Sequence, residues 1–186
     1  ARHPMFKRLL IANRGEIALR VARACRELDI DPVMVYSEAD RDALHVQLAA
    51  HAYCIGPAPA QQSYLNGDAI LTVAKAAGCD AIHPGYGFLS ENAAFAQECV
   101  DEGFAYVGPS AHVIAAMGNK AAAREMMKRA GVPVVPGSDG SVANAYEGAR
   151  IAKEIGYPVL IKATAGGGGK GMREVHDPAD LESHYK

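Results

Sequence analysis

No apolar run in this 186-residue chain approaches the ~20 residues that a bilayer-spanning helix needs, so no spanning helix is expected. No basic stretch followed by an apolar one opens the chain, so no targeting leader is expected either. Met5 reads as a natural start, with residues 1–4 an added stub. Charge of one sign is scarce: the net of −2 leaves no electrostatic footprint for nucleic acid. The four cysteines, Cys25, Cys54, Cys79 and Cys99, form no C-x-x-C pair. Each sits in an apolar pattern and reads as a buried, reduced thiol of a cytoplasmic protein. The seven histidines lack metal-ligand spacing, so no metal site is expected within the chain. Repeats are missing, and one glycine run is the single low-complexity feature.

What is present is enough for a core. Hydrophobic residues make up 49% of the chain and charged residues 22%, mixed in sign, which argues against disorder. The length suits one full domain and part of a second. Short, nearly continuous apolar runs at 9–12, 33–36, 53–55, 81–83 and 105–107 read as strands buried on both faces. Helical patterns alternate with them. The first, 16–28, buries a stripe of Ile17, Val21, Cys25 and Leu28, and its opposite face carries Glu16, Arg20, Arg23 and Glu27 at i,i+4 spacing. Two more, 69–77 and 91–102, end at Gly78 and Gly103, each suited to the left-handed position past a helix end. Ser90 is the expected N-cap of the helix over 91–102. Strand–helix alternation predicts an α/β fold with a parallel, doubly wound sheet over residues 5–107.

The pattern changes after Gly108-Pro109. Helices are expected at 111–117 and 120–130, separated by Gly118, with Asn119 able to cap the second. Residues 135–140, rich in proline, glycine and turn formers, read as a linker. A helix over 146–155, a strand over 159–162, a glycine-rich loop and a second strand over 172–175 follow. Asp177-Pro178 then opens a further helix, with Asp as cap and Pro in its first turn. The predicted organisation is a first domain at 5–117, a connecting helix and linker at 118–137, and an incomplete lid subdomain at 138–186.

The run Gly166-Gly167-Gly168-Gly169-Lys170-Gly171 carries the strongest chemical signal. Glycines let backbone N–H groups approach an anion unshielded by side chains. Gly166, Gly168 and Gly171 satisfy G-x-G-x-x-G, yet a dinucleotide site needs a helix next, and residues 172–175 read as a strand. A Walker loop needs Ser or Thr after Gly-Lys, and Gly171 stands there. A hairpin whose tip folds over phosphates remains, against the plainer reading of a flexible linker. Lys162 ends an apolar strand, where it either meets an anion or snorkels to solvent. Lys120 opens a helix, where positive charge is disfavoured, a local misfit that points to function.

Tyr157-Pro158-Val159-Leu160-Ile161-Lys162-Ala163-Thr164 with its glycine run resembles the signature shared by biotin carboxylases and carbamoyl-phosphate synthetases, both ATP-grasp enzymes. Ile11-Ala12-Asn13-Arg14-Gly15-Glu16-Ile17-Ala18 and His83-Pro84-Gly85-Tyr86-Gly87-Phe88-Leu89-Ser90-Glu91-Asn92 resemble biotin carboxylases in particular. The resemblance runs from about Met5 to the end. It implies a Rossmann-like pre-ATP-grasp domain that binds no dinucleotide, then part of an ATP-grasp lid. It implies that Lys120 and Lys162 contact ATP phosphates, that Gly166, Gly167, Gly168, Gly169 and Gly171 form the phosphate-covering loop, and that Met172 lies near the nucleotide. The loop over 87–91 would face the central active site, which makes Glu91 a candidate catalytic residue; a charge favoured in the first turn of a helix is the competing reading. Two departures are Asn119, where the family more often has Asp, and Ala165, which replaces a glycine.

The family's reaction uses MgATP to phosphorylate bicarbonate and then carboxylates biotin on a carrier. By resemblance, ATP, bicarbonate, biotin, a biotin carboxyl carrier domain or protein and a carboxyltransferase are therefore the implied ligands and partners, with a homodimer possible. Magnesium ligands, the bicarbonate site and the biotin site are expected in a central domain beyond Lys186, so the segment alone is expected to be inactive. A non-catalytic folding or dimerisation module, using the exposed face of the first helix, is one alternative; another ATP-grasp ligase, such as a carbamoyl-phosphate synthetase, is a second, and the motif from His83 to Asn92 speaks against it.

Overall fold

The computed structural model describes residues 6–118, 120–138, 140–162 and 171–184. The chain divides into two compact units, residues 1–118 and 119–186.

In the first unit five parallel strands form one sheet in the order β3-β2-β1-β4-β5. They are β1 (Arg8–Ile11), β2 (Asp31–Ser37), β3 (His51–Gly56), β4 (Ala81–His83) and β5 (Ala105–Tyr106). Side chains alternate between faces, as a pleated strand requires. Leu10, Val33, Val35 and Ile82 point to one face, where they meet α3 (Gly67–Ala76) through Ile70, Leu71 and Ala74 and α4 (Ala93–Asp101) through Phe95 and Cys99. Leu9, Ile11, Met34 and Ala81 point to the other, against Ala18, Val21, Ala22 and Cys25 of α1 (Gly15–Glu27). Helices therefore cover both faces of a parallel sheet, as the alternation of elements predicts. Gly78 and Gly103 take φ of +65° and +86° just past α3 and α4, the left-handed stops read from the sequence. A short helix, α2 (Leu44–Gln47), lies between β2 and β3 and was invisible to periodicity because it is one turn long. A further helix, α5 (Ala111–Gly118), packs on α4 and includes Gly118 rather than ending before it.

Four expectations are corrected. Leu28 is 63% exposed, because α1 ends at Glu27 and the cap residue has turned off the apolar stripe. Cys54 is exposed, because β3 lies at the edge of the sheet and is not covered on both faces. Ser90 does not cap α4: Asn92 does, its side chain accepting from the Phe95 N–H at 3.0 Å. Glu91 consequently lies in an exposed turn immediately before the cap, not in a first helical turn.

The second unit holds α6 (Lys120–Arg129), α7 (Ala145–Ile155), the antiparallel pair β6 (Val159–Lys162) and β7 (Met172–Val175), and α8 (Leu181–His184). Its core is small: Ala152 of α7, Val175 of β7 and Leu181 of α8, with Ala149, Tyr157, Val159 and Ile161 packed around them. Asn144 caps α7 by accepting from the Glu147 N–H at 2.9 Å. Asp177 accepts from the Ala179 N–H at 2.9 Å, with Pro178 in the first turn, as read from the sequence. That turn is a 3-10 turn, Pro178–Asp180, which runs into α8. Asn119, Asp139 and residues 163–170 lie outside the described residues.

Candidate functional site

In the first unit the chain builds outward from β1 to β3, then returns to the other side of β1 for β4 and β5. The order reverses between β1 and β4, and open α/β sheets bind ligands in the crevice at the carboxyl ends of the strands at such a point. The two loops that leave there are residues 12–14 and 84–92.

Asn13 ties these loops together. It is 2% exposed, and its amide nitrogen donates to the carbonyl oxygens of Pro84 and Tyr86, both at 2.8 Å. Its amide oxygen accepts from the Arg14 N–H at 2.9 Å. The loop has to come this close: a Cβ on Gly85 would sit 2.6 Å from the Asn13 amide nitrogen, and Gly85 has φ of +67°. Glycine satisfies both demands at once. The next turn continues left-handed through Gly87 at +64° and Phe88 at +42°. A phenylalanine in that region is held there by its surroundings, at a cost of roughly 1–3 kcal/mol. Its ring packs on Tyr64 with centroids 5.2 Å apart.

His83, at the end of β4, accepts from the Gly85 N–H through Nδ1 at 2.9 Å. That bond places the ring proton of the neutral imidazole on Nε2. Burial lowers the pKa of His83, which favours this neutral form.

A charged cluster stands behind the loop. Arg14 forms a two-pronged pair with Asp40, Nε to one carboxylate oxygen and Nη2 to the other. Asp40 also accepts from the Tyr64 hydroxyl at 2.6 Å, and that hydroxyl in turn accepts from the Ser37 N–H at 2.9 Å. The ladder between β2 and β3 shifts register between Tyr36 and Ser37, next to this side-chain contact. Hydrogen bonds from Arg14 bring the Asp40 carboxyl down to about 2 despite its burial. Arg14 moves upward for the same reason. Burial, reinforced by the bond to Asp40, pushes the Tyr64 phenol up to about 12. Across ordinary pH the cluster is therefore a carboxylate, a guanidinium and a neutral phenol. Tyr86 projects 60% exposed at the mouth, its hydroxyl 3.4 Å from Glu16.

In the second unit Lys162 and Met172 face each other as the last pair of the β6–β7 ladder, at the mouth of the glycine run. Lys162 is exposed at its strand end, where its ammonium is accessible. Met172 is 46% exposed beside it, and Gly171 has φ of +80°. Gly166, Gly167, Gly168, Gly169 and Lys170 lie outside the described residues. Lys120 is the first residue of α6. The donors that this end of the hairpin offers, an ammonium and backbone N–H groups, suit phosphate oxygens. Oxygen ligands for a divalent cation are a different matter: among the described residues no group of three or more His, Cys, Asp or Glu could hold a metal.

Asn13, Arg14 and the loop from His83 were legible as motif residues, whereas Asp40 and Tyr64 were not. Both stand in loops at the carboxyl ends of strands, the one signal that could have found them.

Known proteins share both units. Residues 5–114 match the family model "Biotin carboxylase, N-terminal domain", and residues 119–186 match "Carbamoyl-phosphate synthase L chain, ATP binding domain". Biotin carboxylase 1 of Bacillus subtilis is 62% identical over 98% of this chain and 40% of its own. The biotin carboxylase of Pseudomonas aeruginosa is 58% identical over 95% of this chain and 40% of its own. Among solved structures, a Campylobacter jejuni biotin carboxylase–β,γ-ATP complex superposes with a TM-score of 0.89 at 51% identity, covering 96% of this chain and 40% of that one. The biotin carboxylase domain dimer of Hydrogenobacter thermophilus 2-oxoglutarate carboxylase, in complex with MgADP, ADP and bicarbonate, gives 0.86 at 54% identity, covering 96% and 39%. This chain thus spans about 40% of the length of these relatives.

Proposed function

Because the chain belongs to the biotin carboxylase family, we propose that it works as the N-terminal portion of an ATP-dependent biotin carboxylase, a carbon–nitrogen ligase. The reaction is phosphorylation of bicarbonate by MgATP, followed by transfer of the carboxyl group to a ureido nitrogen of biotin on a carrier protein. The observation that carries this reading is identity of 62% running through both units, so that the switch-point crevice and the lysine-bearing hairpin are inherited together. Identity confined to the second unit would leave any ATP-grasp ligase open; the first unit narrows the choice.

The residues divide the work by chemistry. Phosphoryl transfer is chiefly positioning and charge neutralisation. Lys120, Lys162, Gly166, Gly167, Gly168, Gly169 and Gly171 hold the ATP phosphates, with Met172 beside the nucleotide. ATP supplies the phosphoryl group and Mg2+ the bridging charge; Mg2+ takes its ligands from outside this segment. Glu91, exposed in the turn before α4, faces the reacting centre as a catalytic candidate. The partners follow from the same reading: a biotin carboxyl carrier domain, a carboxyltransferase and a second copy, in the cytoplasm. No nucleic acid or membrane partner is part of it. In domain terms the reading assigns 5–117 to the first domain, 118–137 to the connector and 138–186 to part of the lid.

The test is an ATP titration of the full-length protein. Lys162→Ala should raise the KM for ATP about tenfold, the loss of one charge-assisted contact. Lys170→Ala should raise it less, because Lys162 is fixed in a paired strand and Lys170 stands within the glycine run. The opposite ranking, or no bicarbonate-dependent ADP release with biotin in the unsubstituted protein, overturns the proposal.

A further inference from the structure

The four loops at the carboxyl edge of the parallel sheet each contribute one member to a single chain of contacts. Arg14 follows β1, Asp40 follows β2, Tyr64 follows β3 and Phe88 follows β4. The links run from the guanidinium to the carboxylate, from the carboxylate to the phenol hydroxyl, and from the phenol ring to the Phe88 ring. The first link starts one residue from Asn13, which already grips Pro84 and Tyr86. The loop over 84–88 is therefore held at both ends from the β1 loop, directly by Asn13 and indirectly through Asp40 and Tyr64.

We propose that Tyr64 and Asp40 are positioning residues for the biotin half of the reaction: through the Phe88 ring they hold the 84–88 loop in its left-handed course at the mouth of the crevice. The assignment rests on the carboxylase reading above. Three features carry it. Phe88 occupies a backbone region unfavourable to its side chain, so the turn needs an external hold, and the Tyr64 ring is the aromatic partner it has. Tyr64 is 2% exposed with its hydroxyl both donating and accepting, so it is itself immobile. Finally, residues 84–88 carry no charge of their own and present aromatic surface, with the Glu16 carboxylate 3.4 Å from the Tyr86 hydroxyl at its rim. Tyr86 and Phe88 are exposed on it by 60% and 37%, and the adjacent cation, Arg14, is already engaged by Asp40. Such a surface suits a fused ring with a neutral polar edge and does not suit a polyphosphate, for which the second unit carries the lysines and glycines.

Tyr64→Phe isolates the device, because it keeps the ring on Phe88 and deletes the hydroxyl that anchors it to Asp40. In the full-length protein, the KM for free biotin should rise about tenfold while the KM for ATP stays within about twofold. In the 186-residue chain, the amide of Ser90, which bonds to the Gly87 carbonyl at 2.9 Å, should exchange about tenfold faster, with the β1 amides unchanged. Asp40→Asn, which keeps the shape and removes the charge, should move both readings the same way. Unchanged biotin KM with faster exchange would make the chain of contacts merely structural and overturn the proposal. So would a parallel rise in both KM values, or unchanged exchange at Ser90. If the unsubstituted protein does not carboxylate biotin, the functional reading fails instead, and the exchange experiment still tests the hold on the loop.

Discussion

Asp40 shows how one side chain can be costly alone and stabilising in company. Its side chain is 10% exposed, and burial by itself would raise its pKa. Two bonds from Arg14 and one from Tyr64 reverse that sign and bring it to about 2, below the usual carboxylate value of 3.8. A carboxyl whose folded-state value is depressed contributes stability that is complete above its unfolded value and is lost as pH falls through the folded one. The shift corresponds to about 2 kcal/mol at neutral pH. Urea unfolding of the unsubstituted chain and of Asp40→Asn should therefore differ at pH 7, and the gap should shrink to about half by pH 3. An equal gap at both pH values would mean that the carboxylate is not what the pair stabilises. Neither Asp40 nor Tyr64 stood out in the sequence. Each is a common residue in a loop, and what joins them is a long-range convergence of four strand ends that no local spacing encodes.

Elements differ in how firmly they are held, and burial decides which. Strand β1 lies at the centre of five, and Leu9, Leu10 and Ile11 are each at most 4% exposed. Strand β6 has β7 as its partner in a two-stranded sheet, and its Leu160 is 49% exposed. Two-stranded pairs are marginal in water without a substantial face to bury. Amides of Val159–Lys162 should exchange about a hundredfold faster than those of Arg8–Ile11. Equal protection in the monomeric chain would show that the hairpin is stabilised by something other than its own small core. The same contrast explains what was legible. The buried strand β4 begins and ends where its apolar run does, whereas β6 and β7, largely exposed, were legible as the two segments that flank the glycine run. Helix ends were legible where glycine enforced them, at Gly78 and Gly103. The start of α4 was misplaced because Ser90 and Asn92 are both good caps, and only the left-handed turn at Gly87 and Phe88 delays the helix to the second of them. Strand β3 was read as covered because an edge position is a property of the sheet order, not of the strand.

At the scale of the whole molecule the question is which functions this length of chain can perform by itself. It spans about 40% of the relatives it matches, and the groups it carries fall into two sets. On the proposed reading one set, the lysines and glycines around the β6–β7 hairpin, is the one that would take phosphate. The other, the clamped loop at the switch point, is the one proposed above to take an uncharged ring. What phosphoryl transfer also needs is a hard divalent cation between the phosphates, held by clustered oxygens. Among the described residues, the acidic ones around the hairpin do not supply such a cluster. Glu174 is 3.4 Å from His176 Nε2, and Asp177 is engaged in capping the Ala179 N–H. Orientation of a second reactant, the source of much of the rate in such reactions, has nothing to act through without that cation. The 186-residue chain should therefore bind ATP weakly and carboxylate no biotin. Bicarbonate-dependent ADP release with free biotin, measured on this chain and on the full-length protein, checks it. The full-length protein should turn over and the 186-residue chain should stay at background; turnover by the shorter chain near the longer one's rate would mean that these two sets of groups already make a complete site.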